Sequence, residues 1–296
     1  MLRIEHNSIA SMGANSFFKM DLLLELDISD NNLNQIRKEN FNGLKSLQSL
    51  NLEFNYIEAI EENSFRELKS LTRLDVSDNL LLTVDCLLFQ GLYEITQLDL
   101  NNNKIEEVCA NGTFEQNELL ESVDLSNNHL KRLEYGLFRG IVELKYLYLH
   151  NNLIGTIGEE VFAHLLKLEH LDLSNNFIET LEARTFSGLE HLQNLFLRNN
   201  LISELGVGSF SGLASLTQLD LSHNRIALLG VDIFKGLKLV RSLILTGNRI
   251  RTIRARTFAE LESLSFLDLT SNMVESFERE SLVGLNALKV SVNALS

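Results

Sequence analysis

The sequence predicts an α/β solenoid of about 12 coils, with a parallel β-sheet on its concave side and an irregular or short-helical convex side. Three observations predict it. A motif of the form LxxLxLxxNxL, complete between Leu168 and Ile178, recurs along the chain. Asparagines stand in register at Asn7, Asn31, Asn55, Asn79, Asn103, Asn128, Asn152, Asn176, Asn200, Asn224, Asn248 and Asn272, every step being 24 residues except one of 25. Ten residues beyond each lies a phenylalanine, from Phe17 and Phe41 to Phe234 and Phe258; Phe114 falls eleven beyond Asn103, and Leu282 takes the place in the last full repeat.

Each part of a coil follows from its residues. The LxL alternation turns leucines one way and variable residues the other, which is a short strand with one buried face. A single coil cannot bury that face. Stacked coils can, with parallel strands about 4.8 Å apart. The turn after the strand leaves backbone N–H and C=O groups without strand partners, and an asparagine amide both donates and accepts, so one Asn per coil reads as a structural ladder. On the return path the Phe column completes a continuous Leu/Ile/Phe core. A length of 296 residues would otherwise suggest about two domains, but an unbroken period makes residues 1–296 one solenoid domain.

Composition narrows the function. The chain is 45% apolar and 22% charged, which excludes disorder and collagen, and no apolar run approaches the roughly 18 residues of a membrane-spanning helix. Asp and Glu number 40 against 26 Lys and Arg, a net charge of −14 that works against nucleic acid. Residues 1–150 carry a net of −11 and residues 151–296 a net of −3, so a cationic partner favours the first half. Proline is absent where average usage gives about 15, and nothing in the pattern explains it. The segment Met1 to Asn7 lacks the apolar core and cleavage site of a signal peptide, so either the chain is intracellular or an upstream segment is missing.

The repeat resembles the 24-residue "typical" leucine-rich repeat of extracellular animal proteins such as Toll-type receptors, Slit-type guidance proteins and chaoptin-like adhesion proteins, from Leu2 to at least Asn272. That resemblance implies a leucine-rich-repeat horseshoe used for protein recognition. It also implies cysteine-rich caps, which this sequence does not carry. The chain opens inside a repeat and stops at Ser296; an alternative last register, Leu285, Leu288, Val290 and Asn293, shortens the final turn to 21 residues. The expectation is an excerpt lacking both caps.

Candidate sites follow from departures from the repeat. Cys86 and Cys109 lie in neighbouring coils beside the one-residue insertion and read equally well as a disulfide or as two buried thiols. Asn111, in the sole N-x-S/T sequon, is a glycosylation candidate. The outward strand position is Asp at 27, 75, 99, 124, 172, 220 and 268, largely the repeat's own LDLS habit, and is interrupted by Tyr148, Phe196 and Ile244. Around the first two gather Tyr146, His150, His170 and Arg198, a concave partner-binding patch in which Tyr and Arg suit hot spots. The competing reading is drift on an open surface. Leu153, Phe177 and Leu201, each following a ladder Asn, form either a lateral contact or a covered edge. Arg225, Arg249, Arg251, Arg254 and Arg256 form a basic cluster for an acidic partner or sulfated glycan, or else a solvated face.

Catalysis finds little support: the seven histidines show no HExxH spacing, and no GxSxG or phosphate-binding glycine loop is present. A metal site from His150, His170 and Asp172 is weighed against solvent-facing strand residues, which are favoured. No cofactor is expected. The expected function is non-enzymatic recognition of a protein ligand within an extracellular or cell-surface receptor ectodomain. The alternatives are an adhesion or matrix protein that self-associates laterally as a homodimer, and a cytosolic scaffold.

Overall fold

The computed structural model describes residues 1–110 and 112–288. The chain, read from its sequence as one domain over 1–296, forms two compact units, Met1–Leu153 and Ile154–Ser296. Val290 and Asn293 of the alternative last register lie outside the described residues.

In the first unit the inner strands are Leu2–Arg3, Glu25–Asp27, Ser49–Asn51, Arg73–Asp75, Gln97–Asp99, Ser122–Asp124 and Tyr146–Tyr148, parallel and adjacent in chain order. Their register is one coil per step, pairing Leu26 with Leu50, Leu50 with Leu74 and Leu74 with Leu98. The step from Leu98 to Val123 keeps the same register across 25 residues, so the inserted residue is absorbed outside the sheet. In the second unit the inner strands are His170–Asp172, Asn194–Phe196, Gln218–Asp220, Ser242–Ile244 and Phe266–Asp268, again parallel and in register. Two-residue strands pair on the outgoing path, Gln35–Ile36 with Ala59–Ile60 in the first unit and Thr180–Leu181 with Glu204–Leu205 in the second.

The central residue of the three-residue inner strands, such as Leu50 or Leu195, is buried, except Leu267 of the last, which is half-buried, and its neighbours face outward. Across the core the phenylalanines stack ring on ring, Phe41 on Phe65 at 5.9 Å in the first unit and Phe186 on Phe210 at 6.2 Å in the second. One flat ring per coil suits the spacing of offset aromatic stacks.

The asparagines behave as the ladder their spacing predicts. Asn55 accepts the Leu33 N–H of the preceding coil at 3.0 Å and donates to Ile28 O at 3.0 Å and to Leu52 O at 3.1 Å. Asn200 repeats this with Ile178, Leu173 and Leu197. Each amide therefore ties two coils together.

Of the two forms expected for the convex side the structure has the irregular one: no short helix occurs among the described residues. The stretch around each Phe instead closes successive i to i+3 turns, such as Asn40 N–H to Arg37 O before Phe41 and Leu47 N–H to Leu44 O after it. Left-handed residues interrupt them before a helical ladder can form. At Gly140, with φ of 103°, a Cβ would lie 2.6 Å from Phe114 O, so that position admits only glycine.

Candidate functional site

The inner strands of each unit carry an outward row of variable side chains. In the first unit Tyr146 and Tyr148 flank the buried Leu147, Tyr146 being 41% exposed and Tyr148 half-buried. Tyr148 stands in register with Asp124 and meets His150 edge-on, with ring centroids 6.4 Å apart. In the second unit the His170 ring lies 5.2 Å from that of Phe196, and Arg198, two residues on, is exposed. Phe196 is set between Asp172 and Asp220 by the strand register. Of the six residues grouped from the sequence, Tyr146, Tyr148 and His150 belong to the first unit and His170, Phe196 and Arg198 to the second. Among the described residues no three His, Cys, Asp or Glu side chains are placed to hold a metal ion.

The aspartates of the same outward column are held by the local backbone. Asp27, Asp75 and Asp124 each accept the backbone N–H two residues on, at 3.0, 2.9 and 2.8 Å, and the hydroxyls of Ser29 and Ser77 add bonds to the first two. This is why the repeat favours Asp followed by Ser: the carboxylate closes the turn at the strand exit. Asp99 is followed instead by Asn101. Burial, then the adjacent Asp75 and Asp124, push its carboxyl up to about 6, against a smaller opposing effect of Arg73. Glu53 is also held above its ordinary range, by burial first and then by Asp75 and Asp78. The outward face of the first unit therefore carries an excess of carboxylates, offset in part by Arg73 and by the pairing of His6 with Asp30.

The flanking patches differ from one another. Phe177 is 50% exposed and Leu201 half-buried in the second unit, while Leu153, the last residue of the first, is also exposed; among the described residues nothing covers Phe177 as a closed edge would. The arginine cluster is partly neutralised. Arg251 pairs with Glu275 at 2.7 Å, and Glu278 of the same following coil accepts the Ala255 N–H between Arg254 and Arg256. Arg225 and Arg249 remain exposed.

Cys86 and Cys109 are joined as a disulfide, with Cα atoms 5.1 Å apart. The sequon residue Asn111 lies outside the described residues; its Thr113 is buried and donates to Cys109 O. Two exposed aromatic residues that sequence reasoning missed are Phe54 and Tyr56, beside the acidic field. Their signal was available: the residue before each ladder Asn is polar in the neighbouring coils, Asp30 and Asp78, and aromatic only between them.

The leucine rich repeat family model matches in overlapping windows that run from residue 1 to residue 290. No curated protein matches the chain. Among solved structures, the glycosylated Toll–Spätzle complex of Drosophila superposes with a TM-score of 0.87 at 25% identity, over 97% of this chain and 40% of that one. A leucine-rich-repeat protein of Leptospira interrogans gives 0.80 at 26% identity, over 97% of this chain and 70% of that one. The TLR13–ssRNA13 complex gives 0.75 at 26% identity, over 90% of this chain and 42% of that one. The chain thus spans less than half the length of the two Toll-type proteins. With its period, ladder and sheet register all matched along the described length, the chain belongs to the leucine-rich-repeat family.

Proposed function

We propose that this chain is a non-enzymatic recognition scaffold for a protein ligand, within a cell-surface or secreted receptor ectodomain. The observation that carries the reading is the pair Tyr146 and Tyr148, which present aromatic area on the outward side of a sheet whose repeat places Asp there. An aromatic residue on a solvated strand adds nothing to the core, and Tyr is favoured at binding hot spots. Likeness to a Toll ectodomain solved with Spätzle supports a protein ligand. A net charge of −14 argues against RNA, although one similar structure is a complex with single-stranded RNA. The Cys86–Cys109 bond supports an oxidising compartment.

The test is a binding screen of the secreted chain against extracellular proteins, repeated with Tyr146→Ala, Tyr148→Ala and Phe196→Ala. A heterologous protein ligand whose affinity falls by about 1 to 2 kcal/mol in the tyrosine variants, with the fold intact, supports the reading. Exposed Phe177 favours one competitor, lateral self-association. A concentration-dependent dimer in sedimentation, abolished by Phe177→Ser and indifferent to the tyrosines, would replace the receptor reading with adhesion.

A further inference from the structure

Phe54 occupies an unusual position. Its φ is 52°, the left-handed region, and the equivalent residue of the neighbouring coils takes the same conformation as Asp30, Asp78 and Asn102 with φ of 48°, 52° and 53°. Asp and Asn tolerate that region through their short polar side chains; phenylalanine has no such compensation. The ring is not repaid by burial either, since Phe54 is 54% exposed and Tyr56, on the same outgoing stretch, is 57% exposed. Elsewhere this column holds Asn, Asp, His, Ser or Gly, and Phe54 is its one apolar side chain among the described residues.

The surroundings of the two rings are acidic. Asp30 and Asp78 occupy the same column one coil before and one coil after Phe54, and Glu53 precedes it; Asp30 is paired with His6 and Asp78 accepts from the Asn102 amide, so Asp78 and Glu53 carry the charge that no cation offsets among the described residues. On the adjoining sheet face stand Asp27, Asp75 and Asp99. The charges that hold Glu53 above its ordinary range, after burial, are those of Asp75, Asp78, Asp27 and Asp99. Two exposed rings in a largely negative field have a definite complement. A guanidinium stacks flat on such rings and its fork reaches carboxylates, while an ammonium lies over the ring face.

We propose that Phe54 and Tyr56, with Asp30, Glu53 and Asp78 around them, form a docking surface for a basic, arginine- or lysine-rich polypeptide segment. The surface deepens the recognition reading by giving the ligand its charge, and it lies in coils other than that of Tyr146. Strain at Phe54 is then retained for binding and not for folding.

The test uses the full chain and a fluorescent Arg-Gly repeat peptide, with affinity read by anisotropy at low and physiological salt. Phe54→Asn leaves net charge unchanged and is expected to weaken binding by about tenfold while raising Tm, because it restores the column's preferred residue. Asp78→Asn is expected to weaken binding more than Glu159→Gln, which removes the same charge in the second unit, and the difference should shrink as salt rises. Undiminished affinity in Phe54→Asn, or equal losses for Asp78→Asn and Glu159→Gln, would reduce the interaction to net charge and overturn the proposal. So would a lower Tm in Phe54→Asn, which would make the ring structural, or a dimer of the chain that this variant dissolves. Loss of the peptide in Tyr146→Ala alone would remove this surface and leave the recognition reading standing.

Discussion

Asp99 lies in parallel register with Asp75 on the neighbouring strand, so two outward carboxylates stand one strand spacing apart. They are not equivalent. Asp75 is tied by the Ser77 backbone N–H and hydroxyl at 2.9 and 2.6 Å, whereas Asp99, followed by Asn101, carries the cost of burial and of its two carboxylate neighbours.

A pH dependence follows from that difference. The folded chain holds the Asp99 proton to about pH 6, whereas the unfolded chain releases it near the ordinary 3.8. Between these values the native state binds more protons, so stability falls as pH rises through the window and stays lower above it. Asp99→Asn is expected to stabilise the protein at pH 7 by about 1 to 2 kcal/mol, discounted because solvent reaches the side chain, and to change little below the window. Denaturant titrations of both proteins on either side of the window measure it. A gain of equal size at both pH values would show that the carboxylate charge is not the cause.

The ladder gives a second expectation. Asn200 accepts from Ile178 N–H at 3.1 Å and donates to Leu173 O at 2.9 Å, all three residues being buried. Replacement by Leu strands these backbone groups in the core, at a cost of about 3 kcal/mol. Thermal melts of Asn200→Leu should show a clear drop in Tm. An unchanged melt would mean that water takes over the bonds of the amide.

The disulfide provides a third. Cys86 and Cys109 close a loop of 23 residues, and removing the bond by paired serine substitutions is expected to cost about 3 kcal/mol in the secreted protein. Intact mass after alkylation under native, non-reducing conditions reads the bond directly. Two alkylated thiols would refute it and weaken the extracellular reading with it.

Much of the fold was legible in the sequence because its physics is periodic. A 24-residue repeat of Leu, Asn and Phe specifies the strand, the turn and the core in every coil at once, and the register of Leu50 on Leu74 or Leu195 on Leu219 follows from the spacing alone. The alternation also identified which strand residues face solvent. The convex side was less legible: its turns contain helix formers, but left-handed positions such as Gly140 divide them, and only backbone dihedrals reveal those.

What the sequence by itself determined is the family, the ladder and the outward column, since each rests on local spacing. What the tertiary structure decided is which outward residues matter to one another. It set the His170 ring on Phe196 and Tyr148 against His150, and it placed Glu275 beside Arg251, so that a run of arginines became a mixed surface. It also exposed Phe54 in a left-handed conformation between two aspartates. Burial, strain and field depend on neighbours 24 residues away, and a linear pattern records that such neighbours exist without recording which side chains meet.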